Sequence, residues 1–372
     1  MKIGIESHFA EREGSGNCTY TQNLIRNLAL IDKENKYILY CENKDFYFYK
    51  EIKKVNPNFK IVELRVKNIF FKVPFYLGFI TYKDKIDVIH TQYYCPLISK
   101  GERVVTVHDI IPLIYPDVFN WFEVFKQRFI LPLFIRRADK IITGSNKSKE
   151  DICSYLKVKG NKIVKIYDGV SKDYKIIDHD KEIDVLNKFG IRGSYIYYIG
   201  RLDPRKNLEN VIKAFTGVAA RDNSIILVIA GNKNEYFSEL DNLVKEYNLE
   251  GKVKFIGYIS NKDNIRLLNF AEFLIFPSLY EGFGLPVLEA MACGCPVVTS
   301  KWSSLGEIAE DCALLIDPKN VDEIKDTMLI LLKDRSRRNR LVKKGIRRAK
   351  EFSWEITAKK TLQAYKKVLK DK

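Results

Sequence analysis

The strongest constraint on this chain's fold is an alternation that runs its whole length, in which short apolar runs rich in β-branched and aromatic residues are each followed by a stretch with helical spacing. In the first half the runs fall at 2–6, 37–40, 88–90, 104–107 and 140–143, and the second half restarts the pattern at 195–199, 225–230, 253–256, 273–276 and 296–299. Several are apolar throughout instead of alternating, as parallel strands covered on both faces are. The pattern predicts an α/β protein of two doubly wound parallel sheets, each with a ligand crevice at its strand C-termini. With 372 residues the chain can bury two cores. Residues 171–184 are polar, charged and without apolar periodicity, so they read as a linker between a first domain over 1–175 and a second over 185–352. Beyond them Ser353 suits a helix N-cap, and Trp354, Thr357, Ala358, Thr361, Leu362 and Tyr365 follow at helical spacing in a helix expected over 354–370.

Composition narrows the function classes. Hydrophobic residues at 46% and charged residues at 30% fit a globular chain and exclude a disordered one. Sixty-three Lys and Arg against 47 Asp and Glu give a formal charge of +16. That excess favours an anionic partner such as nucleic acid, an anionic membrane face or a polyphosphate, although general lysine enrichment produces the same number. The seven cysteines include no CxxC, which argues against a zinc ribbon or a thioredoxin-like pair and fits a reducing, cytoplasmic setting. The chain opens on a predicted strand with no signal-peptide pattern. Its most apolar stretches, 68–81 and 129–135, are cut by Lys72, Pro74 and Pro132 and fall short of the roughly 20 residues a spanning helix needs.

Two βα junctions of the second half carry the chemistry. After the run at 273–276 come Pro277-Ser-Leu-Tyr-Glu-Gly-Phe-Gly284 and then a helix, for which Pro286 suits the first position and Gly294 the stop. Gly282 and Gly284 let the backbone approach a ligand, and the spare N–H groups of a helix start attract an anion. Glu289, expected in the first turn, would repel a phosphate and therefore suits neutral hydroxyls such as a ribose diol, while Glu281 in the loop suits sugar hydroxyls. An ordinary βα loop, with Glu289 only complementing the helix dipole, fits the same residues. The other junction, Gly200-Arg-Leu-Asp-Pro-Arg-Lys-Asn207, sets Arg201, Arg205 and Lys206 at a strand end. An amphipathic helix follows, with Leu208, Val211, Ile212 and Phe215 on its inner face. A guanidinium fork beside a point charge matches a diphosphate, and three solvated cations on a turn are the simpler alternative.

The first half signals less. Glu13-Gly-Ser-Gly-Asn-Cys-Thr-Tyr20 sets Gly14 and Gly16 ahead of a helix, but Thr19 stands where a dinucleotide fingerprint needs its third glycine. The segment reads as a flexible loop offering amides to phosphate or acceptor. His108 follows the run at 104–107 at the crevice edge, where it can bond a donor-sugar hydroxyl or a phosphate oxygen, or be merely structural. His8 and His90 also follow or end strands and are weaker candidates. Asp178-His-Asp180 has a metal-holding spacing but lies in the linker and not after a strand, so no metal site is expected. Arg201 and Lys206 can neutralise a diphosphate without one.

The run Gly200 to Asn207, together with Pro277-Ser-Leu-Tyr-Glu-Gly-Phe-Gly-Leu-Pro-Val-Leu-Glu-Ala-Met-Ala-Cys-Gly-Cys-Pro-Val297, resembles the group 1 (GT4) retaining glycosyltransferases. Supporting motifs extend from the glycine loop at 14–16 to Phe352-Ser-Trp354. The resemblance implies the GT-B fold, two Rossmann-like domains facing a cleft, with the acceptor side in the first, the donor side in the second, and the terminal helix crossing back to the first. It implies that Arg201 and Lys206 bind the donor diphosphate and that Glu281 contacts the sugar hydroxyls. The amides of Phe283, Gly284 and Leu285 would lie near sugar and phosphate, and Glu289 would hold the ribose. Gly257, Tyr258 and Ile259 would border the base, His108 would sit by the sugar, and Gly14 and Gly16 would approach the phosphates. His108, Arg201, Lys206 and Glu281 are then the catalytic candidates.

The implied reaction is hexosyl transfer with retention, by front-face attack through an oxocarbenium-like state. A donor phosphate oxygen takes the acceptor proton, and charge stabilisation by Arg201 and Lys206 is the main lever, with no metal cofactor. Residues 108–116 resemble members that build bacterial surface polysaccharide, several of them mannosyltransferases. GDP-mannose is therefore the expected donor and a growing, lipid-linked glycan the expected acceptor. The stretch from Tyr115 to Phe129 with Arg136 and Arg137, and Phe70-Phe-Lys-Val-Pro-Phe-Tyr76, mix aromatic and basic residues. That mixture fits peripheral contact with the anionic inner face of a membrane, and equally fits core aromatics beside a solvated cationic face. Two rivals remain: a nucleotide-sugar epimerase of the same fold, and a non-catalytic basic protein that binds nucleic acid. The latter leaves Glu281 and Glu289 without a purpose, so no nucleic-acid partner is expected.

Overall fold

Each apolar run of the sequence becomes a parallel strand in a computed structural model that describes residues 1–66, 71–178 and 184–371. The chain divides into two units, Met1–Gly169 with Ser353–Lys372, and Val170–Phe352. In the first unit β1 (Lys2–Glu6), β2 (Lys36–Cys41), β3 (Phe59–Glu63), β4 (Val88–Gln92), β5 (Glu102–Thr106), β6 (Lys140–Thr143) and β7 (Ile163–Lys165) pair in the order β3-β2-β1-β4-β5-β6-β7. Ile5 of β1 stands opposite Leu39 on one side and His90 on the other, all strands running parallel. The winding direction reverses between β1 and β4, which is where a doubly wound sheet opens its crevice. Every residue of β4 is buried, so the strand shows no alternation of apolar and polar positions.

The second unit repeats the scheme. Its strands β8 (Tyr195–Ile199), β9 (Ile226–Ala230), β10 (Val253–Gly257), β11 (Phe273–Phe276), β12 (Val297–Ser300) and β13 (Leu314–Ile316) pair in the order β10-β9-β8-β11-β12-β13. The reversal here lies between β8 and β11, paired in register through Ile196 with Phe273 and Tyr197 with Leu274. Tyr195, Tyr197, Tyr198 and Phe273 are fully buried and fix both strands in the core. The loops that leave these two strands are consequently neighbours at the C-terminal edge of the sheet. The helix Leu208–Ala219 after the first loop buries Leu208, Val211, Ile212 and Phe215, the face its spacing predicts.

Three strands have no counterpart among the sequence runs. β3, β7 and β13 each sit at a sheet edge, and their burial is partial, so their sequences carry no continuous apolar block. The expected linker also changes character. Tyr174 is buried and takes a hydrogen bond from Asn264 at 3.2 Å, and the Ile177 amide donates to Asn269 Oδ1 at 3.1 Å, so this part of 171–178 is packed structure of the second unit. His179 and Asp180 of the Asp-x-Asp, like Phe70 of the aromatic-basic stretch, lie outside the described residues.

The helix Trp354–Lys370 starts at Ser353, whose side chain accepts from the Ile356 amide, and it packs on the helix Gly16–Ile31 of the first unit. Trp354, Thr357, Ala358, Thr361 and Tyr365 are buried as their spacing predicts, with Leu362 at the margin. Tyr365 Oη meets His90 Nδ1 at 2.5 Å, and Thr357 Oγ1 donates to the Tyr167 carbonyl at 2.7 Å. No helix among the described residues is long and apolar enough to cross a membrane.

Candidate active site

The site is built where β8 and β11 end. After β8 the chain makes one 3-10 turn, Pro204–Lys206, and Asn207 takes φ +64°, a left-handed conformation that Asn tolerates better than most residues. Asn207 Nδ2 donates to the Pro277 carbonyl at 3.1 Å and to Pro318 at 2.6 Å, tying the first loop to the second. This turn directs Arg205 and Lys206 inward onto Glu281. Lys206 Nζ lies 2.5 Å from Glu281 Oε1, and Arg205 Nη1 lies 3.2 Å from Oε2. Arg205 Nη1 also donates to the Tyr280 carbonyl at 2.5 Å, and Lys206 Nζ stands 5.0 Å from the centre of the Phe276 ring.

One carboxylate is thus gripped by two cations in a site screened from water. Burial alone would push the Glu281 pKa up, but the Lys206 ammonium and Arg205 guanidinium outweigh it and hold the group at about 2. Asp203 also reaches Arg205 at 3.5 Å, so two cations balance two carboxylates, with a lysine already fixed in direction before any anion arrives. That is the preorganisation which electrostatic catalysis on a departing phosphate requires. Arg201 differs: its side chain is 73% exposed and pairs with Asp203 at 3.3 Å, so it stands in water and is held only by a surface pair.

The second loop is shaped by hydrogen bonds to its carbonyls. Ser304 Oγ donates to the carbonyls of Glu281 and Phe283 at 2.8 and 2.7 Å, and the Glu281 amide donates to Ser303 Oγ at 3.2 Å. Gly284 then takes φ +115° as N-cap of the helix Leu285–Ala292. A Cβ there would fall 2.6 Å from Leu305 Cδ2, so both conformation and space select glycine. Leu285 heads the helix, where its amide has no intrahelical partner, the kind of group that anions accept from at helix starts. Pro286 stands one position later than the sequence suggested. At the far end the Cys295 amide donates to the Ala290 carbonyl at 2.9 Å and Gly294, at φ +71°, donates to Met291 at 3.1 Å, a Schellman stop.

Because the helix begins only at Leu285, Glu289 is its fifth residue and not part of the first turn, which holds no acidic residue. The dipole interaction that a first-turn position would supply fades beyond that turn. Glu289 instead faces a buried polar chain: Tyr197 Oη donates to Asn264 Oδ1 at 3.2 Å, and Asn264 Nδ2 donates to the Tyr174 hydroxyl. Tyr174 in turn bonds the Glu289 carboxyl. Burial pushes the Glu289 pKa up to about 7, against the smaller lowering by the Tyr174 bond. Tyr258 follows β10 and is exposed, Ile259 beside it is buried, and Gly257 takes φ +74°.

His108, Gly14 and Gly16 belong to the first unit. Gln92 Nε2 donates to Thr21 Oγ1 at 2.7 Å, so Gln92 Oε1 faces His108 Nε2 at 2.9 Å and accepts a hydrogen bond from its N–H. Burial lowers the His108 pKa to about 4, so the ring is neutral near pH 7 and Nδ1 carries a lone pair. An atom in that state is an acceptor, suited to a hydroxyl group. Gly14 takes φ +79°, and a Cβ on Gly16, the first residue of its helix, would meet nothing within 4 Å. The two other described histidines are occupied in the core. His90 bonds Tyr365 and, at 2.7 Å, Thr106, with its pKa lowered to about 3 by burial, and His8 is turned onto Glu6.

Sequence reasoning missed several partners. Arg205 was given no role of its own among the three loop cations but is buried against Glu281, and Tyr174, Asn264 and Ser304 carried no motif at all. The Asn after the Arg-Lys pair was the available signal, since a residue tolerant of positive φ at that point turns the pair inward. Among the described residues no group of His, Cys, Asp and Glu stands together as a metal ion would need.

A sequence model described as Glycosyl transferases group 1 matches residues 183–348, and one described as Glycosyltransferase Family 4 matches residues 18–174. The O-antigen chain mannosyltransferase B of Escherichia coli is 34% identical over 289 residues, which cover 77% of this chain and 75% of that protein. The serotype-specific mannosyltransferase WbdA of Escherichia coli is 27% identical over 72% of this chain, which spans only 34% of its length. Among solved structures, a glycosyltransferase from Rickettsia africae ESF-5 matches 100% of this chain and 99% of its own with a TM-score of 0.79 at 18% identity, a likeness of fold. Sheet order, loop motifs and sequence likeness converge, and the chain belongs to the group 1, family 4 glycosyltransferases and is a sugar-transferring enzyme of the GT-B fold.

Proposed function

We propose that this enzyme transfers mannose from GDP-mannose, with retention of anomeric configuration, to a growing, lipid-linked surface glycan. The observation that carries the donor site is the buried Lys206–Glu281–Arg205 cluster at the reversal point of the second sheet. Lys206 meets the diphosphate there, with Arg201 closing from the rim and the Leu285 amide behind. Glu281 takes sugar hydroxyls with its remaining lone pairs, Glu289 takes the ribose diol, and Tyr258 and Ile259 border the base. The acceptor oxygen attacks C1 from the face the diphosphate leaves, the C1–O bond breaks, and a phosphate oxygen receives the acceptor proton. Arg201 and Lys206 supply the charge neutralisation in place of a metal. Mannose rests on the likeness to the two Escherichia coli mannosyltransferases. A lipid-linked acceptor places the enzyme against the anionic inner face of a membrane as a peripheral partner.

The test is a thermal-shift panel of GDP- and UDP-sugars, then product analysis by NMR with the best donor, in the presence and absence of EDTA. GDP-mannose should give the largest shift and an α-linked product, undiminished by EDTA. Preference for a UDP-sugar removes the donor assignment, an inverted product removes the mechanism, and loss of turnover in EDTA removes the metal-free reading.

A further inference from the structure

Two helices of the first unit bury one face and leave an apolar stripe on the other. The first runs through Lys72–Leu77 and Gly78–Asp84. It places Val73, Leu77 and Ile80 in a core cluster with Ile38 and Ile89, while Phe71, Phe75 and Phe79, at successive fourth positions, are exposed. The second is continuous through Trp121–Phe125, Lys126–Ile130 and Leu131–Ile135. Its π-helical middle precedes Pro132, whose ring would clash with the carbonyl of residue 128 in a regular α-turn. Leu131, Phe134 and Ile135 enter the core, whereas Trp121 (77% exposed), Phe125, Phe129 and Leu133 face outward.

The two helices bracket one segment. The Leu97 amide donates to the Pro74 carbonyl at 3.0 Å, and two residues earlier Cys95 Sγ donates to the Phe134 carbonyl at 3.1 Å. Tyr94 meets the Phe134 ring edge-on at 5.4 Å, and Ile98 on the same segment is 69% exposed. Apolar stripes of this kind, on two helices that pack on one segment carrying an exposed Ile, exceed what scattered surface hydrophobics explain. The flanking charge is one-sided. Arg128, Arg136 and Arg137 are exposed beside the second stripe with Lys126, against Glu123 alone on that helix.

We propose that the outward faces of these two helices form a docking surface for an anionic lipid bilayer. Aromatic and aliphatic side chains enter the headgroup and upper acyl region, while the arginines pair with lipid phosphates or carboxylates at the rim. Charge complementarity selects this occupant over a second copy of the chain, which would bring the same arginines face to face. The inference deepens the reading of a lipid-linked acceptor by naming the surface that meets the lipid, and it rests on that reading only for its purpose.

The test is flotation of the full chain with vesicles of phosphatidylcholine alone or mixed with phosphatidylglycerol. Binding should appear on the mixed vesicles and be at least about thirtyfold weaker on the neutral ones, given about fivefold per cation near a charged surface. Phe125→Ser with Phe129→Ser, and separately Phe75→Ser with Phe79→Ser, should each lower binding about tenfold or more with thermal melting unchanged. Arg128→Gln with Arg136→Gln should lower it about thirtyfold on mixed vesicles only, and this pair decides the question if a serine pair melts early. Donor binding, read separately by thermal shift, should be the same in all variants, so a failed donor assignment and a failed docking surface give different results. No binding to either vesicle, or binding indifferent to all three pairs, overturns the proposal. So does concentration-dependent dimerisation in light scattering that the serine pairs abolish, which would assign the face to a second copy.

Discussion

Replacing Glu289 by Gln is expected to stabilise the ligand-free enzyme above pH 7 while weakening its grip on the nucleotide. The carboxyl is buried and bonded by Tyr174, with no cation among the causes of its shift, and burial raises its pKa from the ordinary 4.5 to about 7. The folded chain therefore keeps a proton that the unfolded chain gives up between pH 4.5 and 7. Stability is greatest at low pH in this window and is lost as pH rises through 7, because the unfolded state then binds fewer protons than the folded one. From a shift of that size the loss between pH 5 and pH 8 is about 2–3 kcal/mol, the cost of ionising a carboxyl in a poorly hydrated place. Gln carries no such cost and can keep the Tyr174 contact. At pH 8 the variant should melt several degrees higher, at roughly 2–4 °C per kcal/mol for a unit of this size. Its stability should also fall by about 2–3 kcal/mol less than the parent's between pH 5 and pH 8, the remaining fall belonging to groups such as the buried Asp168, whose carboxyl is likewise raised to about 7. In exchange it loses an ionised acceptor for two ribose hydroxyls, and the donor Kd should rise about tenfold or more. Urea unfolding across that pH range, paired with calorimetric titration of GDP, reads both halves. An unchanged pH slope would refute the buried proton, and an unchanged Kd would refute the ribose role.

Two further outcomes concern the other side of the site. Lys206→Ala should lower kcat by about 10²-fold or more, the scale of losing one preorganised contact to developing charge, and near-parental steady-state turnover would remove Lys206 from the diphosphate. Gly284→Ala forces a Cβ into φ +115° and against Leu305, and should cost about 1–3 kcal/mol while raising the donor KM; melting and kinetics like the parent's would mean that the amides of this helix start are not held for the ligand.

The sheets were legible from sequence because their central strands are buried on both faces and so advertise themselves as unbroken apolar runs, as Tyr195–Ile199 does. β3, β7 and β13 were illegible for the complementary reason, since an edge strand shows water part of its surface and loses the run. In the site, Lys206 and Glu281 could be named because glycines and cations cluster around them, but their mutual contact at 2.5 Å joins positions far apart in sequence. No local pattern encodes such a pairing. Arg205 shows the same limit, being a cation whose burial is set by a turn at Asn207 and a carbonyl at Tyr280. The aromatic-basic stretches remained two-sided on paper, because helical spacing alone does not say which face has a neighbour. Packing decides it, burying Phe134 and leaving Phe129 in water.

The helix Trp354–Lys370 has a consequence for the order in which the molecule can be completed. It covers the helix Gly16–Ile31 and supplies Tyr365 to His90, yet it is made after every residue of the second unit. A ribosome delivers the second unit whole while the first still lacks a wall of its core. Until translation reaches Val368 the opening strands of the chain have apolar surface and a buried histidine without their cover. The unit whose sequence comes first is therefore the one that must wait.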